Sequence, residues 1–542
     1  MRIEKVEIIK YKNFENIIID FKKNDDFPDI FSIASKNGGG KSTLLQFVFI
    51  LLHCFMDNSK KQYIKNLLNV FFNESEELEF VKFIILHDNK KYYLNFKIHP
   101  SKTNQYNFDI YLDIKDTEQR IIKFKKNFSK YQKIIQLQKE LEVTDRISPA
   151  LEREFRYIRE FINSSEENFL YKNIRNNNDI DSYKLLINSI MNKNSISENT
   201  LEELNLISND LQSKLHILEE SLSINNLVYI THLNNKNIIL LETQMSQELL
   251  LELSNKIFLT APSSQIFLFL SNEEKHNIFN EFSNEIPRYY ESYYDSVKKA
   301  KNILNGFFTY DFASTELILQ SFKKASEEDL KAKRRTGKYG SKYDELTDEL
   351  KGFLDGKEIT ENETGDRVIF KSKEDGKELS PEDLSHGELK KLGLYIWLKY
   401  IVDNDSIVLM DEIDIALHPK WQYELISDLI KWSENTEFIL ATHSPQILSS
   451  TYYKNIIKLD NGKVKRYNKP PLDRDINAII VEVMESEHFP KNLLELHQQY
   501  RKLINEGKKD TGKAKKLREE ILEYESENSS FFQEINFDLE LM

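Results

Sequence analysis

The run Ser35-Lys36-Asn37-Gly38-Gly39-Gly40-Lys41-Ser42-Thr43 follows an apolar strand-like segment, Phe31 to Ile33, and opens a helical one. Glycines between a strand and a helix let successive backbone N–H groups curl around an anion, and the helix N-terminus adds positive potential. The spacing therefore predicts a phosphate-binding loop. Lys41 would reach the outer phosphates of a nucleotide and Ser42 would hold Mg²⁺, with Asn37, Gly38, Gly39, Gly40 and Thr43 completing the cradle. Ser35 stands where such loops usually begin with glycine.

Three further clusters carry chemistry. Ile407-Val408-Leu409-Met410 is a fully apolar run ending in Asp411-Glu412. Two carboxylates at a strand end suit a metal ligand, Asp411, beside a general base, Glu412, that orients water. Leu384-Ser385-His386-Gly387-Glu388 opens a helix. Ser385 and the amide of Gly387 are candidates for γ-phosphate contact there, and Ser385 with Glu388 three residues on is also the pattern of a capping box. Ala441-Thr442-His443-Ser444-Pro445 ends another apolar run, and His443 is a candidate catalytic group.

Phosphate loop, Ser-x-Gly helix start, acidic pair and histidine occur in the order of an ABC ATPase, which this chain resembles. The resemblance implies ATP and Mg²⁺ as cofactors. It also implies a site completed by Ser385 of an opposing head, and hence a homodimer or higher homo-oligomer. It calls for a Gln-loop residue too, for which Gln265, after a strand-like segment, is the candidate. Most of the chain separates Lys41 from Asp411, so the head resembles the split heads of SMC and recombination-repair ATPases. Asp411-Glu412-Ile413-Asp414-Ile415-Ala416-Leu417-His418-Pro419 is similar to a bacterial branch that includes OLD and defence ATPases.

The elements needed to position these residues are legible. Alternation through Ile3, Val6, Ile8 and Ile9, then Ile17 to Ile19, then Phe31 to Ile33, predicts three strands. Phe83 to Leu86 and Tyr92 to Ile98 flank Asp88-Asn89-Lys90 and predict a hairpin. Phe108 to Ile114 predicts a strand. Leu151, Phe155, Ile158 and Ile162 share one helical face, and Leu204, Leu211, Leu215, Leu218 and Leu222 another. Lys256 to Leu270 reads as strand around Ala261-Pro262-Ser263-Ser264, and charged, glycine-bearing residues 328 to 366 read as mobile loops. Helices are expected over Leu384 to Tyr400 and Trp421 to Trp432, and strands over Ile407 to Met410 and Phe438 to Ala441. The expected fold class is α/β. Residues 1–116 form the N-terminal half of the head, 117–366 a mainly helical insertion, 367–470 the C-terminal half and 471–542 a helical tail.

Composition narrows the function classes. With 40% hydrophobic residues across 542 the chain can bury several cores, so it is not a disordered polypeptide. A net charge of −13 disfavours indiscriminate binding to a phosphate polymer and leaves room for a local basic patch. Lys331-Ala332-Lys333-Arg334-Arg335, with Lys338 and Lys342, is such a candidate, set against a plain solvated loop. Cys54 is the lone cysteine, which excludes an intramolecular disulfide and fits a reducing cytosol. The strand-like start gives no secretory leader. The longest apolar run, Leu44 to Met56, is interrupted by Gln46 and His53, so no membrane partner is expected.

The tail pattern Asp473-Arg474-Asp475-Ile476-Asn477, then Val483-Met484, then a Lys/Glu-rich helical hairpin, resembles the PtuA family of ATPase subunits in Septu and retron-linked antiphage systems. Phe258 to Leu270 is similar to the same family. That resemblance implies an ATPase controlling a separate HNH nuclease, with a retron reverse transcriptase and its nucleic acid as a further possible partner. A Toprim nuclease needs a Glu and an Asp-x-Asp at strand ends for metal, and the 99 residues after His443, the last 72 of them helical and polar in pattern, give no convincing Toprim. Two other readings remain open from sequence: a DNA-repair or chromosome-maintenance ATPase, and a nucleotide-gated scaffold with little turnover. Leu493, Leu494, Leu496, Leu503 and Ile504 form an apolar stripe, the expected docking face of the tail.

Overall fold

The computed structural model describes residues 1–22, 27–36, 38–100, 205–206, 208–214, 216, 226–234, 236–262, 265, 270, 300–309, 314–351, 353–354, 356–361, 368–379, 383–433, 435–460, 462–467, 469–471, 474–487 and 489–541. They belong to two compact units: Met1–Leu67 with Val81–Tyr92 and Met245–Met542, and Leu68–Phe80 with Tyr93–Gln244. The expected strand Phe108 to Ile114, the helical face Leu151 to Ile162, and Leu204, Leu215, Leu218 and Leu222 lie outside the described residues.

In chain order the strands are β1 (Arg2–Tyr11), β2 (Phe14–Asp20), β3 (Ile30–Ala34), β4 (Leu78–His87), β5 (Lys90–Pro100), β6 (Leu227–His232), β7 (Asn237–Thr243), β8 (Ile257–Ala261), β9 (Phe307–Thr309), β10 (Lys357–Glu361), β11 (Val368–Ser372), β12 (Glu378–Leu379), β13 (Ile407–Asp411), β14 (Glu437–Ala441), β15 (Ile456–Asp460) and β16 (Lys463–Arg466). The helices that matter below are α1 (Lys41–Cys54), α2 (Lys61–Leu67), α3 (Gln247–Asn255), α4 (Ser314–Thr336), α5 (Lys342–Lys351), α6 (His386–Tyr400), α7 (Pro419–Trp432), α8 (Pro445–Ser450), α9 (Lys491–Asn505), α10 (Gly512–Leu522) and α11 (Ser530–Leu541).

The larger unit is organised on a seven-stranded sheet of order β16-β15-β3-β14-β13-β8-β9. Its strands are parallel except for the β15–β16 pair. β3, β8, β13 and β14 are buried at every position. Continuous apolar runs of this kind are what a parallel sheet covered on both faces requires. Helix α1 is correspondingly apolar nearly all round and packs against β8, β13 and α3. On the core built around α6 and α7, Leu394, Trp397, Leu425 and Leu429 meet Phe258, Val408, Met410 and Phe438, and Phe308 stacks on Trp397 at 5.0 Å between centroids. Each such side chain contributes about 1.5–3 kcal/mol through burial. In the same unit β1 pairs antiparallel with β2 and β4. In the smaller unit β7 pairs antiparallel with β5 and β6. The turn after β4 carries Asp88 and Asn89 at φ 47 and 60, the left-handed pair that a tight hairpin turn uses.

Two expectations are corrected. Residues 328 to 366 are not simply loops: they include most of the last half of α4, all of α5 and strand β10. The charges occupy the outer face of helices whose inner face, Ile318, Phe322, Ala325, Leu346 and Leu350, packs with Ile359, Phe370 and Leu392. The apolar positions are sparse but recur at helical spacing, which decides the structure over the high charge. The tail stripe is the second correction. Leu493 and Ile504 of α9 are buried with Ala514, Leu517 and Ile521 of α10 and Phe531, Phe532 and Ile535 of α11, with Leu496 and Leu503 packed at the edge. The stripe builds the tail's own core and does not present a free docking face. Between Pro470 and the tail helices, Ile479 and Val483 pack onto Ala34, Leu448 and Ile456 of the head.

Candidate nucleotide site

Four neighbouring parallel strands, β3, β14, β13 and β8, end on the same side of the sheet, because Ala441 pairs with both Ile33 and Asp411 and Met410 pairs with Thr260. Ligands of open α/β sheets bind outside these carboxyl ends. β3 leads into the glycine loop and α1; β13 ends at Asp411; β14 delivers Thr442 and His443; β8 precedes Gln265.

Gly38 and Gly40 have φ of 78° and 96°, a region that other residues avoid. At Gly40 a Cβ would stand 2.7 Å from the Phe14 ring, and at Gly39 one would stand 2.6 Å from Ser35 Cβ, so side chains are excluded from the inner curve of the loop. Ser35, the departure from the usual glycine, has a use: its hydroxyl accepts from Lys41 Nζ at 2.9 Å and donates to the Lys36 carbonyl at 2.8 Å. Asn37 lies outside the described residues. Gly38, Gly39, Gly40 and Thr43 line a cavity with Lys12, Asn13, Phe14 and Gly462. The turn Lys12 to Phe14 was not singled out from sequence, since nothing local in it marks a ligand contact.

Lys41 Nζ also lies 2.7 Å from His443 Nε2. A lysine ammonium is a donor only, so His443 accepts through Nε2 and is the neutral tautomer with its proton on Nδ1. Burial, then the nearby Lys41 charge, holds the His443 pKa below its ordinary value. Burial also lowers the pKa of Lys41, opposed by Asp411, Asp414 and Glu412. Ser42 Oγ donates to Asp411 Oδ1 at 3.0 Å. Asp411 is almost fully buried, and desolvation raises its pKa to about 6 despite the Ser42 bond. A hydroxyl and a buried carboxylate this close are the oxygen donors that a hard divalent cation takes, so these residues fit Mg²⁺.

Glu412 sits at φ 51, an uncommon conformation for a side-chain-bearing residue, and Ala416 at φ 63. The strained turn is held by the Glu412 amide donating to Ala441 O at 3.1 Å and by buried Lys390 of α6, whose ammonium donates to Glu412 O at 3.3 Å and Ile415 O at 2.8 Å. Asp414 joins this turn to the histidine loop: Oδ1 accepts from Thr442 Oγ1 at 2.8 Å and from the His443 amide at 3.4 Å. Gln422 Nε2 donates to the Asp414 and Leu417 carbonyls, while its oxygen accepts from Ser444 Oγ at 2.7 Å. Asp414, Lys390 and Gln422 were missed as site residues. Asp414 lies inside the acidic stretch, three residues past the metal-ligand candidate, and that spacing was the available signal.

Gln265 lies against α1, with its Oε1 accepting from Gln46 Nε2 at 2.5 Å. The Ser385 helix start forms a full capping box with Glu388, which Lys357 also engages at 2.6 Å. Gly387 is packed so closely on Ala416 that a Cβ there would meet its carbonyl oxygen at 2.5 Å. The structure thus brings Lys41 into contact with His443 and Ser42 into contact with Asp411. It does not bond Ser385 or Gly387 to any of them among the described residues.

A glycine loop on a strand–helix turn, an acidic strand end and a strand-end histidine stand together on one sheet, the arrangement of an ATPase-type nucleotide-binding domain. Residues 36–449 match the family described as "AAA domain, putative AbiEii toxin, Type IV TA system", and the chain belongs to that family. It is 31% identical over 172 residues, 28% of this chain and 33% of the relative, to "Retron Vc95 probable ATPase" of Vibrio cholerae serotype O1 biovar El Tor. It is 28% identical over 162 residues, 27% of this chain and 23% of the relative, to "Septu protein PtuA" of Bacillus mycoides (strain KBAB4). These matches span a third or less of the relatives' length. Among solved structures, an SMC head bound to the C-winged helix domain of ScpA aligns with 86% of this chain and 97% of its own at 12% identity and a TM-score of 0.34. The SMC head domain from Thermotoga maritima aligns with 86% and 100% at 9% identity and a TM-score of 0.32. Among the described residues no helix is long and apolar enough to cross a membrane.

Proposed function

We propose that this chain is an ATP-binding and ATP-hydrolysing subunit of an antiphage defence system, whose sites are completed between two heads and whose nucleotide state controls a separate HNH nuclease. The head is assigned to 1–116 and 367–470, the insertion to 117–366, of which β8 and β9 complete the head's sheet, and the tail to 471–542. The observation that carries the reading is the pair of contacts Lys41–His443 and Ser42–Asp411, which join the two ends of the chain at one sheet edge.

Lys41 leaves Ser35 and His443 for the β- and γ-phosphates, exchanging neutral partners for a charged one. The amides of Asn37 to Thr43 cradle the phosphates. Ser42 and Asp411 would hold Mg²⁺, which would supply neutralisation of phosphate charge. Glu412 orients and polarises the attacking water, and His443, neutral and freed from Lys41, bonds to the γ-phosphate. Gln265, itself in the insertion and bonded to Gln46 of α1, is the Gln-loop residue that would contact the filled site. Ser385 and Gly387 face the γ-phosphate of the opposing head, which their capped helix start favours electrostatically. The names of the retron and Septu relatives support the defence setting.

The test is Glu412→Gln. The amide is no base, so ATP binding persists, hydrolysis falls at least about a hundredfold, and ATP-closed dimers accumulate by light scattering. Hydrolysis at the parent rate would remove Glu412 from its role.

A further inference from the structure

The turn between α4 and α5 carries a dense unneutralised positive charge on an otherwise acidic protein. Lys331, Lys333, Arg334, Arg335 and Lys338 are all exposed, and among the described residues none of them joins an ion pair. Pairing resumes at Lys342, which reaches Glu345 at 2.8 Å. In the cationic run 508–518, Lys508, Lys516 and Arg518 are paired with Glu506, Glu520 and Glu527, while Lys509, Lys513 and Lys515 join no ion pair among the described residues. Attraction to the negative C-terminus of α4 accounts for a basic residue or two in the last turn. It does not account for Lys338 beyond the helix, nor for an aromatic ring left in water beside them.

That ring is Tyr339, 64% exposed, with Lys333 Nζ 3.9 Å from its centroid. The turn is firmly built. Gly337 takes φ 79 and its amide donates to Lys333 O at 2.8 Å. Thr336 Oγ1 donates to Ala332 O at 2.9 Å. The nearest buried carboxylate, Asp329, accepts from the amides of Lys342 and Tyr343 at 2.8 and 2.9 Å, which fixes the far side of the turn. Glu327 and Glu328 lie further back on α4 and pair with none of the five cations.

We propose that this turn is a nucleic-acid contact, at which the five cations follow a phosphodiester backbone and Tyr339 stacks on an unpaired base. Clustered cations with an exposed aromatic ring are the two components of single-strand binding. A lipid surface would call for several exposed aliphatic side chains, and beside these cations only Leu330 of α4, 42% exposed, is one. The inference is independent of the ATPase reading, because it is read by binding and not by turnover.

The experiment measures fluorescence anisotropy of a labelled mixed-sequence single-stranded oligonucleotide with the full chain, from about 50 to 200 mM salt. The native chain binds, and affinity falls as salt rises. Lys333→Glu/Arg334→Glu/Arg335→Glu weakens binding roughly tenfold or more and flattens the salt dependence by about two ions. Tyr339→Ala weakens single-strand binding with the salt slope unchanged. Nucleotide-free circular dichroism and ATP turnover of these exposed-residue variants serve as the folding control. Absence of binding by the native chain at the lowest salt, equal binding by the triple variant, or loss of binding only to phosphatidylserine vesicles would each overturn the proposal. A duplex preferred over the single strand, with Tyr339→Ala silent, would overturn the stacking assignment.

Discussion

Lys41 and His443, 402 residues apart in sequence, meet at 2.7 Å between Nζ and Nε2. The contact ties the first turn of α1 to the end of β14, with Ser35 on the other side of the same ammonium. The acceptors that Lys41 meets here, Ser35 Oγ and His443 Nε2, are neutral, so a phosphate would offer it a better partner. On the proposed function, the pair is a binding residue beside the group that would sense the same phosphate.

Lys390 supplies the first prediction. Its ammonium holds the carbonyls of Glu412 and Ile415 across a turn with two left-handed residues. Lys390→Met removes both bonds while keeping most of the packing. Hydrogen bonds to a charged group are worth about 1.5–3 kcal/mol, so the catalytic conformation of Glu412 loses roughly tenfold to a hundredfold in population. Steady-state kinetics should show kcat reduced by that factor with KM for ATP little changed. An unchanged kcat would place Lys390 outside the positioning of Glu412.

The second prediction concerns pH. Burial raises Asp411 to about 6, so the carboxyl binds a proton more readily in the native chain than in the unfolded one. Its folded pKa lies above its unfolded value, so its protonation favours folding as pH falls through about 6. Mg²⁺ requires the deprotonated form, and the two effects oppose each other. Mg²⁺-dependent ATP affinity should therefore decline below about pH 6, by up to about tenfold per pH unit. Calorimetric titrations at pH 5, 6, 7 and 8 check it, and affinity that is flat down to pH 5 contradicts the ligand role.

The tail bears on the partner. Because Ile479 and Val483 cover Ala34, Leu448 and Ile456, a truncation after Pro470 strips head core. A cut after Pro490 removes only α9 to α11, whose apolar residues pack among themselves. The shorter chain should keep ATP binding, with a thermal midpoint within a few degrees of the parent. Co-purification of both forms with the products of neighbouring genes then reports where a nuclease docks. A complex lost on truncation supports the outer, charged face of the tail; a complex retained assigns docking elsewhere. Nuclease activity in the highly purified chain alone would contradict a separate nuclease.

β3, β8, β13 and β14 of the central sheet were legible because a buried parallel strand is a short apolar run with no periodicity to misread, whereas β9, β15 and β16 were not read from the sequence. β3, β13 and β14, with α1 after β3 and α7 after β13, stand where the spacing puts them, whereas the short α8 after β14 was not read from the sequence. The glycine loop was legible because its residue types have few other uses together. What was not legible depended on contacts between distant segments. The inward faces of α4 and α5 are spelled by a few apolar residues among many charges, and only their packing with Phe370 and Leu392 reveals them. Lys390 looked like any helical lysine, and Asp414 like a solvated carboxylate, until the turn after Glu412 was seen to lean on both. Ser385 and Gly387 read as one motif, yet their contacts inside the chain are a capping box and a close approach to Ala416.

The central claim is that one ATP site is made by the loop at Lys41 and the strand ends at Asp411 and His443. Isothermal calorimetry of MgATP with the native chain and with Lys41→Ala tests it most directly. The account predicts saturable binding by the native chain, and in the variant a loss of about 1.5–3 kcal/mol, roughly tenfold to a hundredfold weaker, as the charge-assisted contact disappears. Equal affinity in the two proteins, with Lys41→Ala folded by circular dichroism, would contradict it.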